Sequence, residues 1–261
     1  MKSRKAYFGI FFLMGQFNSN MKYHLAILFF TSCLFSQTKT AGTYNPDGTF
    51  SAGNKTYAAN PFSGGYARIT DGRSFGMIDT AGTMVIPVIY ESMGFLKDGL
   101  VAVAKGSKVG FVNTSGKEVI PFIYDLADDF SGGIALVRKN NKCGIIDKKG
   151  KQISPLIYDQ IENFGNDQSG LARAVRNNKW GFISKSGKEA VPCIYMKANY
   201  FSDGLALVLK EDGTCGYVDP SGKVVVPFAE YTWADNFKKG KAEVHKGKSV
   251  FFINKKGEQI K

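Results

Sequence analysis

NKWGFISKSGKEAVPCIY, residues Asn178 to Tyr195, decides the fold, because the chain repeats it with variations. FGMIDTAGTMVIPVIY starts at Phe75, GFVNTSGKEVIPFIY at Gly110, GIIDKKGKQISPLIY at Gly144 and GYVDPSGKVVVPFAEY at Gly216; a cut-off copy, FFINKKGEQIK, closes the chain. Phe62, Phe95, Phe130, Phe164, Phe201 and Phe237 open the units, at steps of 33, 35, 34, 37 and 36 residues. Pro87, Pro121, Pro155, Pro192 and Pro227 keep one register with Gly76, Gly110, Gly144, Gly181 and Gly216. A period of about 35 residues marks a repeat architecture in which each unit buries its faces against its neighbours.

Three strands fit each unit. Strand a is typified by Leu100 to Ala104, strand b by Gly110 to Asn113 and strand c by Glu118 to Ile123. Asn140-Asn141, Asn177-Asn178, Asp71-Gly72 and Asp212-Gly213 link a to b, and such residues tolerate the positive φ of tight hairpins. Asp or Asn three residues before Gly links b to c, as in Asn113 to Gly116, which suits a type I turn with a bulge. Strand c carries the proline, which has no N–H to give to a sheet interior and so belongs on an edge or at a bulge. Strands a and c read as continuous apolar runs, which implies burial on both faces and therefore units stacked on one another.

These residues resemble the WG-repeat (KWG-repeat) family over about Tyr44 to Lys261, with Asn178 to Tyr195 as the best unit. The family's Trp stands only at Trp180; Phe75, Val109, Cys143, Cys215 and Val250 replace it elsewhere, and Phe251 replaces the last Gly. The positions that carry the resemblance are Phe95, Gly110, Gly116, Pro121, Tyr124, Trp180, Gly181, Gly187, Pro192 and Tyr195. The resemblance implies a bacterial, non-catalytic β-repeat protein.

The expected fold is all-β, built of three-stranded antiparallel meanders. A six-bladed propeller-like ring is favoured and an open β-solenoid is the alternative. A partial unit at residues 44–61 holds what the last unit lacks, so pairing of the two chain ends would close a ring. In the second reading it only caps one end of an open stack.

Residues 1–39 read as an export segment. Met21-Lys22 followed by the apolar run Leu25 to Phe30 has the form of a secretory signal, which makes Met21 a candidate true start. Neither this run, taken on to Phe35, nor the one near Tyr7 to Met14 reaches the ~18 residues of a spanning helix. Cys33 offers a lipid-anchor reading, disfavoured by Phe30 three positions earlier. Residues 40–261 form one domain, expected in the periplasm, at the cell surface or in the medium, as a monomer.

The chain carries +12. Lys2, Arg4, Lys5 and Lys22 have no acidic counterpart in residues 1–37, which leaves 30 basic against 22 acidic residues beyond. The lysines recur in turns, where solvation and protection of sheet edges explain them. Arg is scarce and no RNA-binding motif is present, so no nucleic-acid partner is expected. Cys143, Cys193 and Cys215 each replace a core residue, which favours buried thiols over disulfides.

Little in the chain points to catalysis. His245 is the one histidine after residue 39, with no partner motif for a nucleophilic device. No His/Cys spacing suits zinc. Asp125, Asp128 and Asp129 lack a calcium loop pattern and read as a solvated loop. Tyr57, Tyr90, Tyr124, Tyr158, Tyr195 and Tyr231 read as packing between units, with a sugar- or peptide-binding rim as the alternative.

Residues that break the repeat are the better contact candidates. These are Asn166, Asp167 and Gln168 in an insertion of unit four, Tyr200 in the long step that follows, and Trp233, which stands off the repeat register. The leading function is an exported, non-enzymatic scaffold for a protein or an envelope polysaccharide, with no cofactor and no metal. A propeller-type carbohydrate-active enzyme using carboxylates and a structural adhesion protein are the alternatives.

Overall fold

The computed structural model describes residues 40–260; residues 1–39, read above as an export segment, with Met21 and Cys33, lie outside the described residues. The architecture is all-β, a series of six small antiparallel sheets. Among the described residues no helix is long and apolar enough to cross a membrane.

Turn chemistry builds each unit. In unit two, strand a is Leu100–Lys105, strand b Lys108–Asn113 and strand c Glu118–Tyr124. In unit three the a–b hairpin turns on Asn140 and Asn141, at φ 52° and 60°, the left-handed pair that a type I′ turn requires. The b–c turn is closed by Asn113, whose Oδ1 accepts the N–H groups of Ser115 and Lys117 at 3.0 Å. Asp147, Asp219 and Asn254 do the same in units three, five and six.

The expected meander is present, with a short fourth strand added. Ser92–Met93 pairs with strand a of unit two, Ser92 opposite Ala104 and Met93 opposite Val103. It follows strand c of unit one, Met84–Tyr90, after the single residue Glu91. Leu126–Ala127, Gln160–Ile161, Lys197–Ala198 and Trp233–Ala234 repeat this lead strand. The sheets of units two, four, five and six therefore run lead–a–b–c, and the chain passes from the outer edge of one sheet into the next. Unit three departs at strand c, which pairs only through isolated bridges. There Ser154 stands where other units have Ile or Val, and its buried hydroxyl takes the Ile145 N–H at 2.9 Å, so a side chain replaces part of the ladder.

The proline bulges the outer strand. Ile120 faces Phe111, and the next pair is Tyr124 with Val109, so strand c carries extra residues around Pro121. The bulge lies over the glycine of strand b. A Cβ on Gly110 would sit 2.7 Å from the Ile120 carbonyl oxygen, and one on Gly181 2.5 Å from that of Val191. Among the described residues of unit six no proline bulge covers strand b, and there Phe251 replaces the glycine. The tyrosine ending strand c faces the family's Trp position, as Tyr195 faces Trp180 and Tyr90 faces Phe75.

Six hydrophobic clusters hold the units together, five of them shared by successive units. Where strand b offers an aromatic ring, the next unit's Phe packs on it: Phe111 with Phe130, Phe182 with Phe201 and Tyr217 with Phe237, at centroid distances of 4.8, 4.6 and 4.7 Å. Unit one offers Met77 instead, and Phe95 is left exposed beneath the Arg68 guanidinium, 4.3 Å away. Tyr90, Tyr124, Tyr158 and Tyr195 are buried, as the packing reading requires, and Tyr90 and Tyr195 stack on Phe122 and Phe228 of the next unit. Successive b–c turns are also neighbours. The glycines of these turns abut the start of the preceding strand c, Gly116 at Val85, Gly187 at Ile153 and Gly222 at Ala190.

The sixth cluster belongs to the N-terminal fragment, and it corrects one expectation. Thr49–Ala52 and Lys55–Ala59 form a hairpin around Gly53, and Ala58 and Ala59 pair with Thr70 and Ile69 of unit one. Phe50, fully buried, packs with Tyr57, Ile69 and Ile78. Gly42 N donates to Gly82 O and Met84 N to Thr40 O, both at 2.8 Å. At the other end Gln259–Ile260 pairs with Phe252 and Ile253 of its own unit. Among the described residues the fragment thus caps unit one, and none of its strands pairs with the last sheet. The Gly53 turn folds it back on itself before a full strand c can form.

Candidate functional site

Clefts recur between successive units, beside the loops that lead into strand a. The one between units four and five is the largest of the three, at ≈ 470 Å³, against ≈ 270 Å³ between units one and two and ≈ 170 Å³ between units three and four. Its size follows from the unit-four insertion, which contributes Asn166, Asp167 and Gln168 to one wall; Ser202, Asp203 and Pro220 stand opposite.

The insertion is built from its own polar groups. Asp167 Oδ1 accepts the Ser169 N–H at 2.8 Å, and Oδ2 accepts the Phe201 N–H of the next unit at 2.9 Å, so one carboxylate bridges the two units. Asn166 Nδ2 donates to the Tyr200 hydroxyl at 3.2 Å, and that hydroxyl donates to Glu162 Oε2 at 2.6 Å. Four of the five residues singled out in the sequence therefore lie together. Trp233 lies elsewhere. It holds the first position of a lead strand, where Ser92, Leu126, Gln160 and Lys197 are exposed in turn, so it is in structural register after all. Its ring is 46 % exposed and 4.8 Å from His245, which faces it across the strand pair.

Arg173 was not singled out, although it anchors the Glu162 and Tyr200 pair to which Asn166 is bonded. It sits in strand a where units two, three and five have Ala102, Leu136 and Leu207. Its guanidinium grips Glu162 with two hydrogen bonds, 2.9 and 2.8 Å, and donates to the Ala198 carbonyl at 2.9 Å. Tyr200 covers it at 3.8 Å and Trp180 flanks it at 4.9 Å. The family's Trp thus stacks on a cation here. Units one and six carry Arg68 and Glu243 at the same position, so a charge recurring inside strand a was the sequence signal available for Arg173.

Burial alone would raise the Glu162 carboxyl; hydrogen bonds from Arg173 and Tyr200, with the Arg173 charge, outweigh it and hold the group below its ordinary value. A depressed carboxyl stabilises the fold above its unfolded value, roughly 4.3, and that contribution is lost as pH falls through the lower folded value. Glu162→Gln is expected to destabilise the protein at neutral pH. The gap to wild type should close below about pH 4 in urea melts at stepped pH. A gap that persists at acid pH would mean that packing, not charge, is what the substitution removes.

Of the other acidic candidates, Asp125 and Asp129 are occupied structurally. Asp125 pairs with Lys108 and accepts the Asn140 N–H at 2.7 Å. Asp129 accepts the Phe95 N–H through both oxygens, at 3.1 and 3.0 Å. Asp128, raised by burial and by Asp129, lines the cleft between units three and four. Asp203 accepts the Gly240 N–H at 2.6 Å and pairs with Lys255. Among the described residues no three potential metal ligands gather. Cys143, Cys193 and Cys215 are buried free thiols. Burial, with Glu189 nearby, pushes Cys193 up to about 12. A maleimide is therefore expected to leave these three thiols unmodified in the native protein and to label all three in urea, as read by mass spectrometry. Native labelling of Cys193 would overturn the packing that buries it.

The model of the WG containing repeat matches residues 75–108, 110–143, 144–180, 180–213 and 216–248. No curated protein matches the chain. Among solved structures, the computationally designed Ika8 protein is similar at 14 % identity, with 83 % of each chain covered and a TM-score of 0.36. BamB from Moraxella catarrhalis is similar at 12 % identity over 81 % of this chain and 75 % of its own, TM-score 0.36. The C-terminal WD40 domain of Sif2 is similar at 10 % identity over 83 % and 81 %, TM-score 0.34.

Proposed function

The chain belongs to the WG-repeat family, and from that premise we propose that it is an exported, non-catalytic, monomeric scaffold that holds a protein or an envelope polymer against the cleft between units four and five. The observation that carries this reading is the unit-four insertion. It departs from the repeat, is fixed by Asp167 and Asn166 to the following unit, and presents the exposed Asn166 and Gln168 amides to a polar cleft. Fixed amide donors and acceptors beside an aromatic ring suit a neutral polar ligand, a sugar chain or an extended peptide.

The two carboxylates that line this cleft are engaged within the fold. Both oxygens of Asp167 and both of Asp203 already accept or pair within the fold. Export is supported by the basic-then-apolar order of residues 21–30.

The test is capture from the native envelope by the tagged full chain at low and high salt. One salt-resistant partner is expected, and Asn166→Ala with Gln168→Ala should release most of it. Capture that vanishes at high salt, or that survives the double substitution, would move the site away from this cleft.

A further inference from the structure

Lysines stand at both ends of the sheets. At the a–b hairpin end the lysine that opens strand b is paired: Lys108 with Asp125, Lys142 with Asp159 and Lys179 with Glu211. Lys105, Lys246 and Lys248 at that end are exposed and unpaired, one or two to a hairpin; the b–c turns gather more of them. Lys148, Lys149 and Lys151 stand exposed in the turn of unit three, and Lys185 and Lys188 in that of unit four. Lys117, Lys223 and Lys256 continue the series in units two, five and six, also exposed. Among the described residues the b–c turns hold one ion-paired lysine, Lys255, 3.1 Å from Asp203.

The acids within these turns do not neutralise the row. Asp147 and Asp219 accept the N–H groups of their own turns. Glu189 pairs with Arg176 at 3.2 Å, and Glu118 and Glu258 are single exposed residues.

Fold geometry makes these turns a row. Each turn glycine abuts the preceding strand c three or four residues beyond that unit's own turn, as Gly187 does at Ile153 and Gly222 at Ala190. Consecutive turns are therefore neighbours, about 10 Å apart by the spacing of packed sheets. We infer that this turn edge is a binding ridge for a linear acidic polysaccharide, with its densest part on units three and four.

A line of charge fits a chain better than a flat membrane. The ridge contains no Arg and no aromatic side chain at its turn positions, so it offers neither bidentate phosphate or base contacts nor a stacking platform, which argues against nucleic acid. Lys ammonium groups act as point charges that follow carboxylates or sulfates along a polymer. Solvation alone explains scattered exposed lysines; here Lys148, Lys149, Lys151, Lys185 and Lys188 gather in two neighbouring turns.

This inference rests on reading the chain as a binding scaffold, and it uses a surface other than the cleft. The test compares wild-type full chain with two five-charge variants. One carries Lys148, Lys149, Lys151, Lys185 and Lys188→Gln; the other carries Arg73, Lys105, Lys139, Lys246 and Lys248→Gln at the hairpin end. The probes are polygalacturonate for carboxylate, heparin for sulfate, oligothymidine, and vesicles of equal parts anionic and zwitterionic phospholipid. Wild type should bind at least one of the polysaccharides. The ridge variant should lose roughly tenfold or more of that affinity at moderate salt and the hairpin variant under about twofold, since releasing fewer counterions lowers both affinity and its salt dependence. Equal losses in both variants would overturn the ridge, and so would tighter binding of oligothymidine or vesicles. No polysaccharide binding alongside intact salt-resistant envelope capture would sink the ridge and leave the cleft proposal standing.

Discussion

Gly181→Ala is expected to destabilise the protein by about 3 kcal/mol, the upper part of the range for overpacking a filled site. The added methyl would lie 2.5 Å from the Val191 carbonyl oxygen and 2.7 Å from both the Cys193 nitrogen and the Pro192 carbonyl carbon. All three are backbone atoms of the bulge around Pro192, which side-chain rotation cannot move. Relief would require strand c to lift from strand b, breaking the Phe182–Val191 and Trp180–Tyr195 pairs that flank it. Urea unfolding measures the loss. A change below about 0.5 kcal/mol, the scale of an ordinary surface substitution, would mean that the bulge is not what demands glycine here. Phe251, in a unit with no described bulge over strand b, shows that the position tolerates a side chain when nothing covers it.

Phe50→Ala is expected to have the largest effect, about 4 kcal/mol, within the range for truncating a buried phenylalanine. Phe50 has no exposed surface and anchors the cap on unit one with Tyr57, Ala67, Ile69 and Ile78. Its loss should also be local. Five clusters join only consecutive units and the sixth joins the cap to unit one, so stability spreads by nearest-neighbour contact. Hydrogen exchange should accelerate first at Ala67 to Ile78 while the amides of Phe182 and Ile183 keep their protection. Equal acceleration in unit four would contradict a linear chain of contacts and revive closure between the ends.

The sequence carried the architecture because turns and proline act locally. Asn140-Asn141 turn as their chemistry predicts, and Pro121 stands on an outer, bulged strand. What escaped reading depended on pairing. The reason for Gly110 needs the knowledge that the Pro121 bulge lies on it. Lead strands such as Ser92–Met93 are two residues long and carry no periodicity, so Trp233 looked displaced when it occupies a regular place. The fragment at residues 44–61 shows the turn signature Asn45 to Gly48 correctly, yet the fold-back at Gly53 reassigns it from shared strand to cap. At the cleft, the broken register exposed Asn166, Asp167, Gln168 and Tyr200. Arg173 had no visible role until its partners Glu162 and Ala198 came together.

The single-residue link from strand c to the next lead strand bears on how the chain is made. Glu91, between Tyr90 and Ser92, carries the backbone from one finished sheet into the first strand of another. As the ribosome releases the protein from its N-terminus, every sheet is begun by the unit before it. At roughly 5–20 residues per second, a unit of this period emerges every few seconds. Each newcomer finds a strand already held in place to receive its strand a, so the nascent protein grows by templated addition and exposes one incomplete edge at a time.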